Sequence, residues 1–315
     1  MPPRSSPAST SSGPATTVAE AEAPGRTESV AHALVRGLRP RQWIKNFLVL
    51  AAPLAAGQVT NTEVLVRTAL AFLLFCAISS GVYLLNDARD VEEDRHHPTK
   101  RLRPIAAGTL PLGLAWTVAV VLLLGGVVAG YVVAPALGAT FTVYVAVQVA
   151  YSAGLKHQPV LDLASVASGF LLRAIAGGVA SDIPLSQWFL LVASFGSLFM
   201  VAGKRYSELH SLGGDSPTRI SLQAYSESYL RFVWSLAAAT TLVFYGLWAF
   251  ENKGSPPYAV ISLAPFTIGL LRYAVDIDRA VAGSPEDIVL RDRVLQVLAL
   301  IWLVLVGLFA AGRVT

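Results

Sequence analysis

Residues 64–94, with the sequence VLVRTALAFLLFCAISSGVYLLNDARDVEED, determine the class of fold that this chain can adopt. Residues 64–85 are almost entirely apolar and have the length of an α-helix that crosses a lipid bilayer. They run directly into residues 86–94, a segment with five carboxylates. A membrane span that opens into a crowded acidic segment predicts a polar site at one face of the membrane.

The composition of the whole chain indicates the same class. Of its 315 residues, 54% are hydrophobic and 14% are charged, whereas about 25% are charged in an ordinary soluble domain. The mean hydropathy is +0.57. These values exclude a disordered chain, a soluble enzyme and the usual basic nucleic-acid-binding domain, so no nucleic-acid partner is expected. The single cysteine, Cys76, excludes a disulfide framework and a cysteine-based zinc site.

Apolar runs of spanning length recur along the chain, and we predict an all-α polytopic membrane protein with nine transmembrane helices. The first run is short and contains Pro53, so a protein with eight spans is the alternative. The predicted spans are residues 44–57, 64–85, 112–133, 136–153, 159–180, 186–203, 230–250, 258–275 and 294–312.

The distribution of cations orients these spans. With nine spans, 20 of the 24 lysines and arginines lie on one side, three lie on the other, and Arg173 lies inside a span. By the positive-inside rule the side with 20 cations is cytoplasmic, which predicts a multi-pass protein of the plasma membrane. The acidic residues follow the cations, although they take no part in that rule. We therefore expect a polar cavity that faces the cytoplasm and contains the active site.

The N-terminal region divides into two parts. Residues 1–29 have almost no large apolar side chain and predict a disordered tail, which leaves residues 30–315 as the membrane-embedded domain. Residues 30–45 are basic and predict a helix that lies at the membrane surface. Lys45, at the start of the first span, is either an interfacial anchor or a phosphate contact.

The acidic segment has the spacing of a metal site. If the second span continues as a helix, Asn86, Asp90 and Asp94 lie on one face and extend over about 12 Å. No single ion reaches all three, whereas one or two Mg²⁺ ions with a bridging diphosphate could do so. The alternative is a solvated, salt-bridged loop, but five crowded carboxylates repel each other unless a cation is present.

The cations that follow the acidic segment suit a phosphate. Arginine binds phosphate as a bidentate fork and lysine as a point charge, and the alternative is ordinary positive-inside charge. The residues concerned are Lys100, Arg101 and Arg103.

Two further residues near or within the spans are candidates for the site. Tyr83 lies one helical turn before Asp87 and either covers the site or packs at the membrane interface. Arg173 is the only cation deep in a span, and ionisable residues at that depth are usually functional. We expect Arg173 to bind Asp162 or the phosphate of a lipid.

These segments resemble the UbiA superfamily of intramembrane prenyltransferases over roughly residues 38–312. The family's N-D-x-x-D-x-x-x-D motif after the second span is present at 86–94, and its R-P-[IL]-x-x-G turn is present at 103–108. The resemblance implies a nine-helix bundle in which the Asn and the second and third Asp of the motif bind Mg²⁺-diphosphate. The matching residues, and hence the candidate catalytic and metal-binding residues, are Asn86, Asp90 and Asp94.

Departures from the family's pattern indicate the branch. Aromatic prenyltransferases of the superfamily have a second motif, D-x-x-x-D, near the end of the sixth span, where this chain reads GKRYSE at 203–208. One acidic and one basic cluster fit a metal-bound diphosphate together with a separate, metal-free phosphate. The stretches RPRQWIKN at 39–46 and LRAIAGG at 172–178 are similar to the branch that uses phosphoribosyl diphosphate.

That branch implies Mg²⁺-dependent transfer of a 5-phosphoribosyl group from 5-phosphoribosyl 1-diphosphate to decaprenyl phosphate, a membrane lipid, for cell-wall arabinan synthesis. A homo-oligomer is compatible with such a chain. The cations expected to divide the leaving diphosphate, the ribose 5-phosphate and the lipid phosphate among them are Lys45, Lys100, Arg101, Arg103, Lys156, Lys204 and Arg205.

Two other functions would explain part of this pattern. An aromatic prenyltransferase would use the same acidic segment to bind a polyprenyl diphosphate, but the missing second Asp motif argues against it. A transporter or lipid flippase would explain the spans and Arg173, but it leaves the clustered carboxylates at one face unexplained.

Overall fold

The computed structural model describes residues 28–211, 224–252, 256–283, 288 and 291–314, and within these ranges the chain forms helices and no β-strand. Apart from its last two residues, the predicted tail at 1–29 lies outside the described residues. Ser29 caps the first helix, because its side chain accepts a hydrogen bond from the backbone N–H of His32 at 3.3 Å.

The helices differ widely in length, and the longest have the length of a membrane span. They are α1 (Val30–Leu38), a 3₁₀ helix (Pro40–Leu50), α2 (Ala51–Ala55), α3 (Thr62–Arg89), α4 (Val91–His96), a 3₁₀ turn (Lys100–Leu102), α5 (Leu112–Val133), α6 (Pro135–Ala153), a 3₁₀ turn (Leu155–His157), α7 (Leu161–Ala180), α8 (Gln187–Ser211), α9 (Glu227–Glu251), α10 (Tyr258–Ile261), α11 (Leu263–Asp278) and α12 (Arg293–Val314).

Eight helical segments in the described part of the chain are long and apolar enough to cross a membrane. They are α3, α5, α6, α7, α8, α9, the α10–α11 pair and α12. The prediction of an all-helical membrane protein is therefore confirmed, and eight of the nine predicted spans correspond to these segments.

The remaining predicted span, residues 44–57, is built differently. Its first half, residues 44–50, belongs to the 3₁₀ helix Pro40–Leu50, and α2 continues from there. A 3₁₀ helix rises about 2.0 Å per residue, so the two helices together extend about 30 Å, close to the thickness of the hydrocarbon core. Residues 40–57 are therefore long enough to be the ninth span, and the count of nine stays a prediction.

Side-chain contacts identify the helix ends that meet at one end of the bundle. Ser152 near the end of α6 bonds to Asn86 near the end of α3, and Arg205 in α8 pairs with Asp162 at the start of α7. At the opposite end, Thr68 near the start of α3 bonds to Ser181, directly after α7. The antiparallel helices thus bring the polar ends of α3, α6, α7 and α8 together.

The 3₁₀ helix packs directly against α7 at Gly177. A Cβ on Gly177 would lie 1.7 Å from the carbonyl oxygen of Val49, so only glycine fits there. This backbone-to-backbone contact fixes the position of the 3₁₀ helix, which follows directly after Arg39, a residue of the polar end.

Gly177→Ala is expected to lower stability by about 1–3 kcal/mol, because the added methyl group must push the 3₁₀ helix away from α7. The apparent melting temperature of the purified protein in detergent measures the effect. Gly125→Ala is the matched control, since Gly125 lies in α5 with open space where its Cβ would be. Equal melting temperatures for the two variants would show that the close contact does not matter.

Candidate substrate and metal site

The acidic segment begins where α3 ends. Asp90 has φ −92° and ψ 14°, which separates α3 from α4. The backbone hydrogen bonds nevertheless continue, from Asp90 N–H to the Asn86 carbonyl at 2.9 Å and from Asp94 N–H to the Asp90 carbonyl at 2.8 Å. The predicted spacing of Asn86, Asp90 and Asp94 is therefore kept, although Asp90 itself has backbone angles outside the helical range.

Asn86 and Asp90 face the end of α6. The Ser152 hydroxyl donates to Asn86 Oδ1, and Lys156 Nζ lies 2.8 and 2.9 Å from the two carboxylate oxygens of Asp90. Lys156 comes from the 3₁₀ turn that follows α6. The structure thus brings one predicted cation into direct contact with a predicted metal ligand.

Asp94 faces a different set of cations, which it shares with Asp87. Arg103 donates from one nitrogen to Asp94 Oδ2 at 2.6 Å and to Asp87 Oδ1 at 3.0 Å. Arg39 donates to both oxygens of Asp87 at 2.6 and 2.7 Å. Asp87 and Asp94 are almost completely buried, so their carboxylates are shielded from water, whereas Arg39 and Arg103 are partly exposed.

The side chains of this segment fit a magnesium ion that takes most of its ligands from a phosphate. Asp94 Oδ1 is buried without a hydrogen-bond partner, and Lys100 Nζ lies 3.8 Å from it. No group of three or more His, Cys, Asp or Glu side chains converges on one point among the residues that the structure describes. Mg²⁺ typically uses only one or two carboxylates together with substrate phosphate oxygens, and such a set is present in Asn86, Asp90 and Asp94.

A second polar cluster lies around Arg205, at the ends of α7 and α8. Arg205 NH1 lies 2.9 Å from Glu208 Oε2, its Nε lies 3.3 Å from Asp162 Oδ2, and its NH2 donates to the Tyr151 hydroxyl at 3.4 Å. Lys204 Nζ lies 3.9 Å from Glu208 Oε1. The stretch in which the sequence predicted a basic cluster therefore consists of cations balanced by acids.

Tyr225 fastens the start of α7 to this second cluster. Its hydroxyl donates to Asp162 and accepts the backbone N–H of Val160 at 2.6 Å. Burial raises the pKa of the Tyr225 phenol, and the hydrogen bond to the Asp162 carboxylate raises it further. Tyr225 therefore stays protonated at neutral pH and acts as a fixed hydrogen-bond donor.

The sequence of the chain matches the profile of the UbiA prenyltransferase family over residues 47–304. The chain belongs to the UbiA prenyltransferase family. It is 56% identical over 280 residues to a protein of Mycobacterium tuberculosis named decaprenyl-phosphate phosphoribosyltransferase. The aligned region covers 87% of this chain and 93% of that protein. It is 51% identical over 298 residues to a protein of the same name from Mycolicibacterium smegmatis, over 90% of this chain and 94% of that protein.

The fold is that of other UbiA proteins. A UbiA homologue from Archaeoglobus fulgidus, solved with DMAPP and Mg²⁺, superposes with a TM-score of 0.68 at 15% identity, over 89% of this chain and 98% of that one. This likeness confirms the UbiA-type bundle that the motifs predicted.

Arg173 of this UbiA protein lies away from both polar clusters, and its predicted pairing with Asp162 was wrong, whereas its predicted contact with a lipid phosphate stays a prediction. It donates to the Asn46 side chain at 2.7 Å, the Gly169 carbonyl at 2.6 Å and the Tyr144 hydroxyl at 3.2 Å. Asp162 instead pairs with Arg205. Asp162 and Arg173 are eleven residues apart on one helix, which separates them by about 16 Å along its axis. Arg173 thus holds the 3₁₀ helix against α7.

The other predicted phosphate ligands occupy varied environments. Lys45 is half-buried on the 3₁₀ helix, and Lys100 is half-buried near Asp94. Arg101 is exposed on the 3₁₀ turn Lys100–Leu102. The Arg39 guanidinium lies over the Tyr83 ring, with its Cζ 5.1 Å from the ring centroid, so Tyr83 contacts a cation of the site.

The sequence interpretation missed Arg39 and Asp87 as members of the site. Arg39 adopts a left-handed backbone conformation with φ 54° and ψ 60°, and this turn between α1 and the 3₁₀ helix aims its side chain at Asp87. The spacing of Asp87 could have indicated its role, because Asp87 and Asp94 are seven residues apart and two helical turns place them on one face.

Proposed function

We propose that this UbiA protein transfers a 5-phosphoribosyl group from 5-phosphoribosyl 1-diphosphate to decaprenyl phosphate or a similar polyprenyl phosphate. The products would be decaprenylphosphoryl-5-phosphoribose and diphosphate. The proposal depends on the observation that the polar end contains two separate clusters. One contains Asp87, Asp90 and Asp94, and the other contains Lys204 and Arg205. The names of the relatives that are 51–56% identical support the same reaction.

Asn86, Asp90 and Asp94 would hold Mg²⁺ together with the leaving diphosphate. When bound, the metal offsets the negative charge that develops on the diphosphate as the anomeric C–O bond breaks. The buried, unbonded Oδ1 of Asp94 and the accessible carboxylate of Asp90 support this assignment.

The cations would bind the three phosphate groups of the two substrates. Lys156, Lys100 and Arg103 contact or approach the metal-binding carboxylates, so they suit the leaving diphosphate. Lys204 and Arg205 lie in the second cluster and suit a phosphate that is not metal-bound. Lys45 and Arg101 would complete the set.

The reaction needs no general base from the protein. The nucleophile is an oxygen of the lipid phosphate, which is already ionised at neutral pH. A single displacement through an oxocarbenium-like transition state would invert the anomeric carbon, and NMR of the product measures this. Retention of the donor's anomeric configuration would rule out a single displacement.

The protein would work in the plasma membrane with its polar end in the cytoplasm. The asymmetric distribution of cations supports this orientation, because cytoplasmic loops carry an excess of Lys and Arg. Phosphoribosyl diphosphate would reach the site from the cytoplasm and the polyprenyl phosphate from the bilayer. The product would supply arabinose units for the cell wall.

A competition between donors tests the proposal against aromatic prenyl transfer. The purified protein is incubated with Mg²⁺, phosphoribosyl diphosphate, polyprenyl phosphate, polyprenyl diphosphate and 4-hydroxybenzoate. The lipid products are then identified by mass spectrometry. We expect only the phosphoribosyl lipid. A prenylated aromatic product that also forms without phosphoribosyl diphosphate would favour the aromatic prenyltransferase.

Lys204→Ala is expected to raise the KM of one phosphate-bearing substrate about tenfold, because one charge-assisted contact to a phosphate is lost. Steady-state kinetics with each substrate varied in turn measures the change. Arg279→Ala is the control, since Arg279 is exposed after α11 and is expected to leave the kinetics unchanged. Unchanged KM values for both substrates and an unchanged kcat would remove Lys204 from the site.

A further inference from the structure

The three aspartates of the acidic segment, Asp87, Asp90 and Asp94, are each paired with a cation that lies nine or more residues away in the sequence. The shortest distances are 2.6 Å from Asp87 to Arg39, 2.6 Å from Asp94 to Arg103 and 2.8 Å from Asp90 to Lys156. A metal ion that binds these oxygens must therefore compete with positive charges already in contact with them.

The three pairs differ in how accessible they are. The side chains of Asp87 and Asp94 are 3% and 1% exposed, whereas those of Asp90 and Lys156 are 25% and 18% exposed. Lys156 also engages both oxygens of Asp90. The Asp90–Lys156 pair is therefore the one that an incoming ligand can reach and separate.

The charges of the cluster disfavour a metal ion that arrives alone. Four cations, including Lys100 at 3.8 Å from Asp94, face three carboxylates, which leaves a surplus of one positive charge. A divalent cation is repelled by this surplus and has to displace Lys156. A diphosphate that arrives without a metal ion is repelled by the nearby carboxylates. A metal ion with a diphosphate ester is a net anion, so its metal can take Asp90 while a phosphate oxygen takes Lys156.

We propose that Lys156 is an exchangeable counter-ion, which occupies Asp90 against a lone metal ion and moves to a phosphate oxygen when metal and diphosphate bind together. This inference rests on the proposed function, because it takes Asp90 as a metal ligand and a diphosphate as the ligand of Lys156. It follows that metal and diphosphate bind with positive coupling, and by linkage each strengthens the other by the same factor.

Two binding measurements on the purified full-length protein test this role. In the first, Mn²⁺ alone is titrated into the protein, and the concentration of free Mn²⁺ is measured by electron paramagnetic resonance. The second measures the binding of radiolabelled inorganic diphosphate with Mg²⁺ and with EDTA. The variants are Lys156→Met and Lys156→Gln, and the matched control is Arg95→Met, which removes a cation that pairs with exposed Glu92 in the same acidic segment.

Opposite changes in the two affinities are expected for both Lys156 variants. Mn²⁺ alone should bind about tenfold more tightly than to the wild type, and diphosphate with Mg²⁺ should bind about tenfold more weakly, within the range of typical coupling. A loss of structure would weaken both affinities, so the opposite signs separate the counter-ion role from misfolding. Arg95→Met should change neither affinity.

The failure of this inference differs from a failure of the proposed function. If Asp90→Asn abolishes Mn²⁺ binding but the Lys156 variants bind Mn²⁺ no more tightly than the wild type, the counter-ion role is wrong and the metal site stands. If Mn²⁺ binds wild type and Asp90→Asn equally, the metal assignment itself is wrong.

Discussion

Asp90→Asn is expected to lower kcat at least about 10²-fold, the size of loss that follows when a charge placed for the transition state is removed. The substitution keeps the shape of the side chain but removes the negative charge that would hold the metal, and it leaves Lys156 without its carboxylate partner. Steady-state kinetics at saturating Mg²⁺, with phosphoribosyl diphosphate and polyprenyl phosphate, measures the loss.

Glu93→Gln is the matched control for this experiment. Glu93 is an exposed carboxylate in the same acidic segment, so its neutralisation changes the net charge of the segment equally. We expect it to retain nearly full activity. Full activity in Asp90→Asn would remove Asp90 from the proposed metal site. Equal losses in both variants would mean that the segment acts only through its overall charge.

Arg103→Met is expected to destabilise the fold by about 3 kcal/mol, at the lower end of the cost of breaking a buried ion pair. Arg103 joins two carboxylates that are almost completely buried, and its removal leaves Asp94 with Lys100 at 3.8 Å as the nearest cation. Asp87 keeps its bond to Arg39, which limits the loss. The apparent melting temperature in detergent should fall by several degrees.

Arg89→Met provides the comparison, because Arg89 is an exposed cation at the end of α3, next to the same segment. Its melting temperature should stay close to that of the wild type. If Arg103→Met melts at the wild-type temperature while losing activity, the Arg103 network serves substrate binding and contributes little to folding.

The sequence predicted the parts of this protein that follow from local periodicity. Apolar runs identified eight spans that the structure contains, because a helix in a bilayer needs about 20 apolar residues in succession. The spacing of Asn86, Asp90 and Asp94 also follows from the helical repeat, and the hydrogen bonds between them persist across the break at Asp90.

What the sequence could not predict depends on contacts between distant segments. Lys156 and Asp90 are 66 residues apart, and only the packing of α6 against α3 brings them together. Arg39 reaches Asp87 through a left-handed backbone conformation that a non-glycine residue seldom adopts, so residue preferences do not predict this turn. The 3₁₀ geometry of residues 40–50 is likewise invisible in hydropathy, which measures polarity and not helix type.

One error could have been avoided from the sequence. The expected pairing of Arg173 with Asp162 disagrees with the helical rise, because eleven residues of one helix separate two side chains by about 16 Å. The contacts of Arg173 with Asn46, Gly169 and Tyr144 satisfy its guanidinium without a carboxylate. A cation deep in a span can thus serve packing between helices as well as substrate binding.

The most direct test of the proposed reaction is the formation of a labelled lipid. The purified protein is incubated with phosphoribosyl diphosphate labelled in the ribose, decaprenyl phosphate and Mg²⁺, with and without EDTA, and the label extracted into organic solvent is counted. We expect a labelled lipid that forms only when Mg²⁺ is present. No labelled lipid from a folded protein, or equal amounts with EDTA, would contradict Mg²⁺-dependent phosphoribosyl transfer.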